Sequence, residues 1–335
     1  MKKQLALAAV GTTLVAVAAF LFGLRMNFHS ENQKPGKFPE QLVYVRTADD
    51  VVDGGVLFSS PSSPPKPLGV IWVHGWGANF YLPSYVGIGR QLAAHGFPTV
   101  SVNTRMHDIG NVEKYTLLGN RVRGGGYWGV TSEASRDIAA WIDYAEQLGY
   151  GRVILVGHSA GWASVARYEA DSQDRRVAGL VFASPCVGCL GQPDTQVLAR
   201  AKKLVDQGNG EELIPLSGRS FPSYISAATQ LDTDSTPRQY ADFFGTQTSD
   251  AAITRVTCPV LAFFGSKGDI GGEKELALLA SSVRRLAHGP AKVDTVLIPN
   301  GDHEYVGEEA QVAQVIARWI ETEVDGTLKN PQTNH

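Results

Sequence analysis

The most constraining feature of the chain is the segment Gly157-His158-Ser159-Ala160-Gly161, which directly follows the apolar run Val153-Ile154-Leu155-Val156. The residues after it can continue as a helix. A strand, a sharp turn and a helix in this order expose the hydroxyl of the turn serine above a sheet. Glycine suits positions 157 and 161, because a side chain there would collide with the turn or the neighbouring strand. Ser159 is therefore the first candidate nucleophile.

Composition limits the classes of protein that this chain can be. It has 335 residues, of which 43% are apolar and 19% are charged, as in a globular protein large enough for one large core or two smaller ones. The formal net charge of −3 gives no basic footprint for nucleic acid. We therefore expect a globular protein with no nucleic-acid partner.

The N-terminus departs from this composition. Residues 5–24 carry no charge, and they lie between Lys3 and Arg25. Twenty apolar residues just span a bilayer, so residues 1–25 form either a transmembrane anchor or a cleaved signal peptide. We prefer the anchor, since the apolar run continues past the possible cleavage site at residues 16–18. The two leading lysines favour a cytoplasmic N-terminus, which places the remaining chain outside the cytoplasm, or makes it secreted or periplasmic if the segment is cleaved.

Three cysteines fit an oxidising compartment. Cys186 and Cys189 are close enough in sequence to close a small disulfide loop, although two free thiols remain the alternative. A zinc site would need a second pair of ligands, and none is visible in the sequence. Cys258 is expected at the start of a strand and Cys186 at the end of one, which are opposite edges of a parallel sheet, so we expect them not to pair.

The middle of the chain alternates between strand and helix patterns. After a polar tether at residues 26–39, a hairpin is predicted at 41–46 and 55–59, and the alternation then runs through residues 40–325, before a tail at 326–335. This rhythm predicts an α/β fold with a doubly wound, mostly parallel sheet. Strands are predicted at residues 69–73, 98–102, 153–156, 177–182, 260–264 and 293–298, and helices at 132–148, 273–287 and 308–321.

A long insertion interrupts this rhythm at about residues 186–256. It has one clear helical stretch, at residues 195–207, and an irregular segment of this length is usually functional. We interpret it as a cap over the site. Its aromatic residues either line that site or form a small core of the cap itself: Phe221, Tyr224, Tyr240, Phe243 and Phe244.

A nucleophilic serine needs a base, and the base needs an acid that orients it. Among the three histidines after Ser159, His303 directly follows the last predicted strand and is the candidate base. Asp269 follows the preceding strand and is the candidate acid, with Glu273 as a weaker alternative. Asp302 adjoins His303 and is expected to be a solvated loop charge.

The chemistry also needs two backbone N–H groups that hold the developing oxyanion. The residue after the nucleophile, Ala160, supplies one of them. Trp76 is expected to supply the other, because it follows the first buried strand in the segment His74-Gly75-Trp76-Gly77. His74 is then expected to be structural, and His158 is expected to point away from the nucleophile.

With serine, acid and histidine in this chain order, residues 40–325 resemble the α/β-hydrolase superfamily of the serine esterase and lipase type. The resemblance implies an α/β-hydrolase fold with a cap insertion, a small-molecule ester substrate, a Ser-His-Asp triad with an acyl-enzyme intermediate, and no cofactor or metal. The chain departs from the usual pattern at the acid. Asp269 stands four residues after Gly265, where related sequences more often have three.

Other functions stay open beside ester hydrolysis. The same triad serves acyltransferases and peptidases, and an inactive hydrolase fold could serve as an interaction module. Two further motifs are set aside. Residues 63–66 match S-x-x-K but lie in a proline-rich loop, and Gly87-Ile88-Gly89 lacks the third glycine and the preceding strand of a dinucleotide site.

Overall fold

The computed structural model describes residues 37–60, 67–115, 121–188, 194–216 and 224–324. The strands in these residues are β1 (Glu40–Arg46), β2 (Val52–Phe58), β3 (Leu68–Val73), β4 (Thr99–Val102), β5 (Asn111–Tyr115), β6 (Arg121–Gly124), β7 (Arg152–His158), β8 (Val177–Ala183), β9 (Leu213–Pro215), β10 (Tyr224–Ser226), β11 (Val260–Gly265) and β12 (Val293–Ile298). The α-helices are α1 (Pro83–Ala94), α2 (Ala134–Gln147), α3 (Gly161–Ser172), α4 (Thr195–Asp206), α5 (Ala227–Asp234), α6 (Arg238–Ala241), α7 (Glu273–Arg284) and α8 (Glu309–Trp319).

One eight-stranded sheet organises the fold, in the order β1-β2-β4-β3-β7-β8-β11-β12. β1 and β2 pair antiparallel, as do β2 and β4, and the remaining neighbours are parallel. The predicted doubly wound, mostly parallel sheet is therefore confirmed. Its parallel strands all end at one edge, where the loops that follow β3, β7, β11 and β12 meet.

Helices cover both faces of the sheet. On one face, α1 and α8 pack through residues such as Ile88, Leu92 and Ile316. On the other face, α2, α3 and α7 contribute Trp141 and Leu279, among others. Strands β3, β8 and β11 are buried along their whole length. This explains their continuous apolar sequences, since a strand that is covered on both sides has no solvent face.

Several predicted boundaries shift for local reasons. The helix predicted from residue 132 begins at Ala134, because Thr131–Glu133 form a 3₁₀ turn. β2 begins at Val52, three residues before the predicted start, since Asp50 adopts a left-handed φ of 64° and tightens the hairpin. The last helix ends at Trp319 and continues as a π-helical turn over Ile320–Val324.

The stretch predicted as a cap contains α4, β9, β10, α5 and α6. It has a small core of its own, formed by Ala201, Ile214, Ile225 and Ala227.

The prediction for two of the cap aromatics was wrong. Phe243 and Phe244 neither line the site nor belong to the cap's small core; they are buried in the main core, where they pack against Trp162 and Phe182. Tyr224 is half exposed on β10, and Tyr240 lies between the guanidinium groups of Arg167 and Arg255. Phe221 lies outside the described residues.

The predicted disulfide and the predicted membrane anchor both involve residues outside the described ranges. Cys186 is disulfide-bonded and Cys258 carries a free thiol, whereas Cys189 lies outside the described residues. No helix in the described ranges is both long and apolar enough to cross a membrane. The predicted anchor at residues 5–24 also lies outside these ranges.

A buried carboxyl group in α3 gives folding a dependence on pH. Glu169 is 3% exposed, and burial, together with the nearby charge of Asp174, raises its pKa to about 8. In the unfolded chain the pKa is near 4.3. Between these values the folded state holds a proton that the unfolded state releases, so this group makes the protein less stable as pH rises from about 4.5 to 8.

We expect Glu169→Gln to remove much of this loss of stability at higher pH, because the amide is neutral at every pH. Urea midpoints measured at pH 5 and pH 8 should lie closer together in the variant than in the wild type. The exposed Glu321 serves as the matched control, and Glu321→Gln should leave the difference between the two midpoints unchanged. An unchanged difference in Glu169→Gln would show that Glu169 ionises normally in the folded protein.

Candidate active site

The turn at Ser159 is built from the end of β7 and the start of α3. Ser159 has a φ of 47°, in the left-handed region that L-residues avoid, and its N–H donates to the carbonyl of Ala183 at 2.8 Å. A Cβ at position 157 would lie 2.5 Å from the Gly161 carbonyl oxygen, and one at 161 would lie 2.3 Å from that of His74. Both glycines are thus required by close packing around a strained serine.

The loop after β12 brings His303 to this serine. His303 Nε2 lies 3.1 Å from Ser159 Oγ, within hydrogen-bond distance. Burial lowers the pKa of His303, while the carboxylates of Asp269 and Asp302 raise it, and the net shift is downward. The imidazole is therefore neutral near pH 7, with Nε2 able to accept the serine proton when Nδ1 carries the ring proton.

Asp269 approaches the other side of the imidazole from the loop after β11. Its Oδ1 lies 3.6 Å from His303 Nδ1, and its side chain is 81% exposed. This separation is longer than a hydrogen bond, and among the described residues His303 Nδ1 has no hydrogen-bond partner although it is buried. Glu273, the alternative acid, is the exposed first residue of α7.

The two candidate oxyanion residues, Ala160 and Trp76, line the same small cavity beside the serine turn. Ala160 immediately precedes α3, whose positive N-terminal end favours negative charge. Trp76 follows β3, and its indole donates to the carbonyl of Gly126 at 3.0 Å. Both residues line one small cavity together with Gly75, Thr104 and Met106. A larger cavity, lined by Thr254, His288 and Lys292 among others, lies beside the start of β12, at the opposite edge of the sheet.

An aromatic segment that the sequence analysis did not place in the site packs on Trp76. Tyr127 follows the β5–β6 hairpin, and its ring centre is 5.9 Å from that of Trp76. Trp128 contacts Tyr127 edge-on, and its indole donates to the carbonyl of Glu211 in the cap stretch. The loop that carries Trp76 is thereby joined to the cap stretch through two consecutive aromatic contacts and one hydrogen bond. The sequence feature that could have pointed to this segment is Gly124-Gly125-Gly126-Tyr127-Trp128, in which two aromatic residues follow three glycines.

His74 and His158 are both buried and hydrogen-bonded beside the serine turn. His74 is buried, and its Nε2 accepts from the N–H of Thr104 at 3.1 Å, as expected for a structural residue. His158 is fully buried, with its ring centre 5.0 Å from that of His303 and its two ring nitrogens bonded to Tyr85 Oη and to the carbonyl oxygen of His303.

Glu304 is a further carboxyl group that the sequence analysis missed; the residue is partly buried, and its Oε2 atom is shielded from solvent. Burial, then the charges of Asp302 and Asp269, raise its pKa to about 7. One atom each of His158, His303 and Glu304 lie within 4.8 Å of one another, a spacing that could hold a metal ion. Both ring nitrogens of His158 are already hydrogen-bonded, however, so a cation could bind all three side chains only by breaking one of these bonds.

A serine on a left-handed turn between a strand and a helix, a histidine in contact with it and a mostly parallel sheet beneath them are the architecture of the α/β-hydrolases. The model of the "Alpha/beta hydrolase family" matches residues 70–318, and the chain belongs to this family. No protein of curated function matches the sequence.

Solved structures share the fold at low sequence identity. The chain resembles Est1E from Butyrivibrio proteoclasticus with ferulic acid bound, at 17% identity and a TM-score of 0.57, over 84% of this chain and 99% of that one. It also resembles DcsB in complex with a substrate analogue, at 16% identity and a TM-score of 0.63, over 85% and 99%. The Pyrococcus furiosus esterase Pf2001 matches at 13% identity and a TM-score of 0.53, over 86% and 94%. At sequence identities this low, these similarities show a shared fold and nothing more specific.

Proposed function

We propose that this protein is a serine hydrolase that cleaves carboxylic esters of small molecules. The observation that carries the proposal is the 3.1 Å contact between His303 Nε2 and Ser159 Oγ on a turn that holds the serine at a φ of 47°. A nucleophile and a base at this distance, with a helix N-terminus beside them, suit acyl transfer. The esterases among the structurally similar proteins support the same reaction class.

The proposed reaction has two halves. Ser159 Oγ attacks the acyl carbon while its proton moves to His303 Nε2, and the amides of Trp76 and Ala160 hold the oxyanion of the tetrahedral intermediate. The intermediate collapses as the imidazolium gives its proton to the leaving alkoxide, so that an alcohol departs and an acyl-enzyme remains. Water then attacks the acyl-enzyme with the same base, and the acid product leaves. Asp269 is the proposed partner of the imidazolium.

We also propose that residues 5–24 tether the enzyme to a membrane, with the catalytic part outside the cytoplasm. The uncharged length of this segment and the two lysines before it support the tether. The disulfide at Cys186 supports an oxidising compartment, because such bonds rarely persist in the cytosol. If the segment is cleaved, the same reasoning gives a secreted or periplasmic enzyme.

A fluorophosphonate probe tests the reaction class, since it phosphonylates only an activated serine. We expect one adduct, on the peptide that contains Ser159, with labelling that parallels the loss of activity on a panel of p-nitrophenyl esters. Added alcohols should not divert the acyl group into new esters. Efficient transfer to the alcohol would instead indicate an acyltransferase, and a folded protein that the probe does not label would contradict the proposal.

A further inference from the structure

A chain of buried hydrogen bonds connects the three loops that carry the proposed chemistry. The N–H of Gly75 lies 3.2 Å from Tyr85 Oη, Tyr85 Oη lies 2.6 Å from His158 Nδ1, and His158 Nε2 lies 2.8 Å from the carbonyl oxygen of His303. Tyr85 is 1% exposed and His158 is 0% exposed. The bonds therefore form away from water, where each is strong and costly to leave unmade.

The direction of every hydrogen bond in this chain is determined. A carbonyl oxygen can only accept, so His158 Nε2 carries a proton and donates it to His303. Burial, and then the neighbouring His303, lower the pKa of His158 to about 3, so the ring holds no second proton. His158 Nδ1 therefore accepts from the Tyr85 hydroxyl, and the same hydroxyl oxygen accepts from the N–H of Gly75.

Three members of this hydrogen-bonded series adjoin groups that the proposed reaction uses. Gly75 is joined by a peptide bond to Trp76, the candidate oxyanion residue. His158 is joined to Ser159. His303 is held through its own backbone carbonyl, while its ring contacts Ser159 Oγ. One buried unit thus fixes the nucleophile, the base and the oxyanion loop relative to one another.

A purely structural role does not require these residue types. Burying an imidazole and a phenol costs free energy that apolar side chains of similar volume would not cost. Trp72 stacks on the His158 ring, with centres 6.4 Å apart, and Tyr305 contacts it edge-on. Aromatic rings at these positions would also pack against a leucine. The polar side chains of Tyr85 and His158 are explained by the loops that their hydrogen bonds hold together.

We propose that Tyr85 and His158 are positioning residues that set the distance between His303 and Ser159 and the direction of the Trp76 amide. This inference rests on the proposed function. Neither side chain touches the substrate, since both are buried beneath the turn. Their contribution is to geometry, and a misplacement of about 1 Å can cost about 10²-fold in rate.

The first test is Tyr85→Phe, which removes one hydroxyl and keeps the ring. We expect kcat on a p-nitrophenyl ester to fall about 10- to 100-fold while KM changes by less than about twofold, because the lost interaction acts on the transition state. Tyr168→Phe is the matched control. Tyr168 is also buried, and its hydroxyl donates to Asp174 at 2.7 Å, on the far side of α3 from the serine turn. It should keep the wild-type kcat.

Urea denaturation of both variants separates positioning from stability. If kcat simply follows stability, the two tyrosine variants will lose activity in proportion to their unfolding midpoints, and the inference is overturned. If Tyr85→Phe loses kcat at a midpoint similar to that of Tyr168→Phe, the positioning role is supported.

Substitutions of His158 provide an independent test. A glutamine amide offers one donor and one acceptor, whereas leucine offers neither, so His158→Gln should retain about tenfold more kcat than His158→Leu. Equal activity of the two variants would contradict the inference. If His158→Leu does not fold, His158→Gln is compared with Tyr85→Phe, and it must retain the higher kcat.

Failure of this inference is distinguishable from failure of the proposed function. If the wild type hydrolyses esters and takes up the fluorophosphonate at Ser159, but Tyr85→Phe keeps full kcat, only the positioning role is wrong. If the folded wild type neither hydrolyses esters nor reacts with the probe, both the proposed function and the inference built on it are overturned.

Discussion

Replacing Ser159 by alanine is expected to lower ester hydrolysis by about 10⁵-fold or more, because the members of a nucleophile–base unit act together and the loss of either removes the covalent route. Folding should be almost unaffected. Alanine keeps the Cβ, so the backbone strain at a φ of 47° stays the same, and only the hydroxyl contact with His303 is lost. The net cost of such a contact is about 1 kcal/mol. Steady-state rates and urea midpoints measure the two effects.

Ser172 provides a matched control at the other end of the same helix. Its hydroxyl donates to the Tyr168 carbonyl within α3 at 2.7 Å, so Ser172→Ala removes one hydroxyl from the helix that follows the turn without touching the site. It should retain wild-type rates. Ser159→Ala enzyme that keeps most of its activity would mean that another group is the nucleophile.

The parts of the fold that the sequence predicts are those with local signals. β12 is observed at residues 293–298, as predicted, because a short run rich in β-branched residues between turn residues favours a strand. The mostly parallel sheet and the helices that cover it follow from the alternation of strands and helices. Ser159 is located by a motif in which the strained turn itself dictates the flanking glycines.

The helix α1 was missed because its sequence opposes its conformation. Two glycines in Pro83–Ala94 lower the helix propensity, and neither helps the fold locally. The reason for glycine at position 89 lies on another element, since a Cβ there would come within 2.4 Å of the Phe58 ring. Only the packed structure reveals such a constraint.

The same limit applies to the site. Ser159 and His303 could be proposed from motif and chain order, because both follow recognisable strands. Tyr85 and His158 are separated by 73 positions in sequence, and their hydrogen bond depends on how α1 packs against the end of β7. Glu304 has no local signal that would predict its burial. The sequence therefore indicates the reacting groups, and the structure adds the groups that hold them.

Replacing the candidate acid, Asp269, is expected to have the second-largest effect on the rate. We expect Asp269→Asn to lower kcat/KM by about 10²-fold or more, since the variant loses the charge that stabilises the imidazolium. The effect should be smaller than the roughly 10⁴-fold seen where such an acid is buried. Asp269 is 81% exposed and 3.6 Å from His303 Nδ1, so water screens part of its charge.

The pH dependence of kcat/KM should also change in Asp269→Asn, and the direction of the change can be derived. Asp269 raises the pKa of His303, against the lowering by burial. The imidazole must be neutral to accept the serine proton, so the acid limb of kcat/KM follows this pKa. Removing the Asp269 charge lowers the pKa further, and the acid limb of Asp269→Asn should move to lower pH than in the wild type.

Two carboxyl variants decide between Asp269 and its competitors. Glu273→Gln should keep wild-type rates, because Glu273 stands exposed at the start of α7. Glu304→Gln should cost far less than Asp269→Asn, since a carboxyl group whose pKa is about 7 is largely protonated below neutral pH and cannot stabilise a cation there. If Asp269→Asn is silent and Glu304→Gln loses activity most steeply above pH 7, the acid is the partly buried Glu304, and the exposed Asp269 acts only by raising the pKa of Glu304.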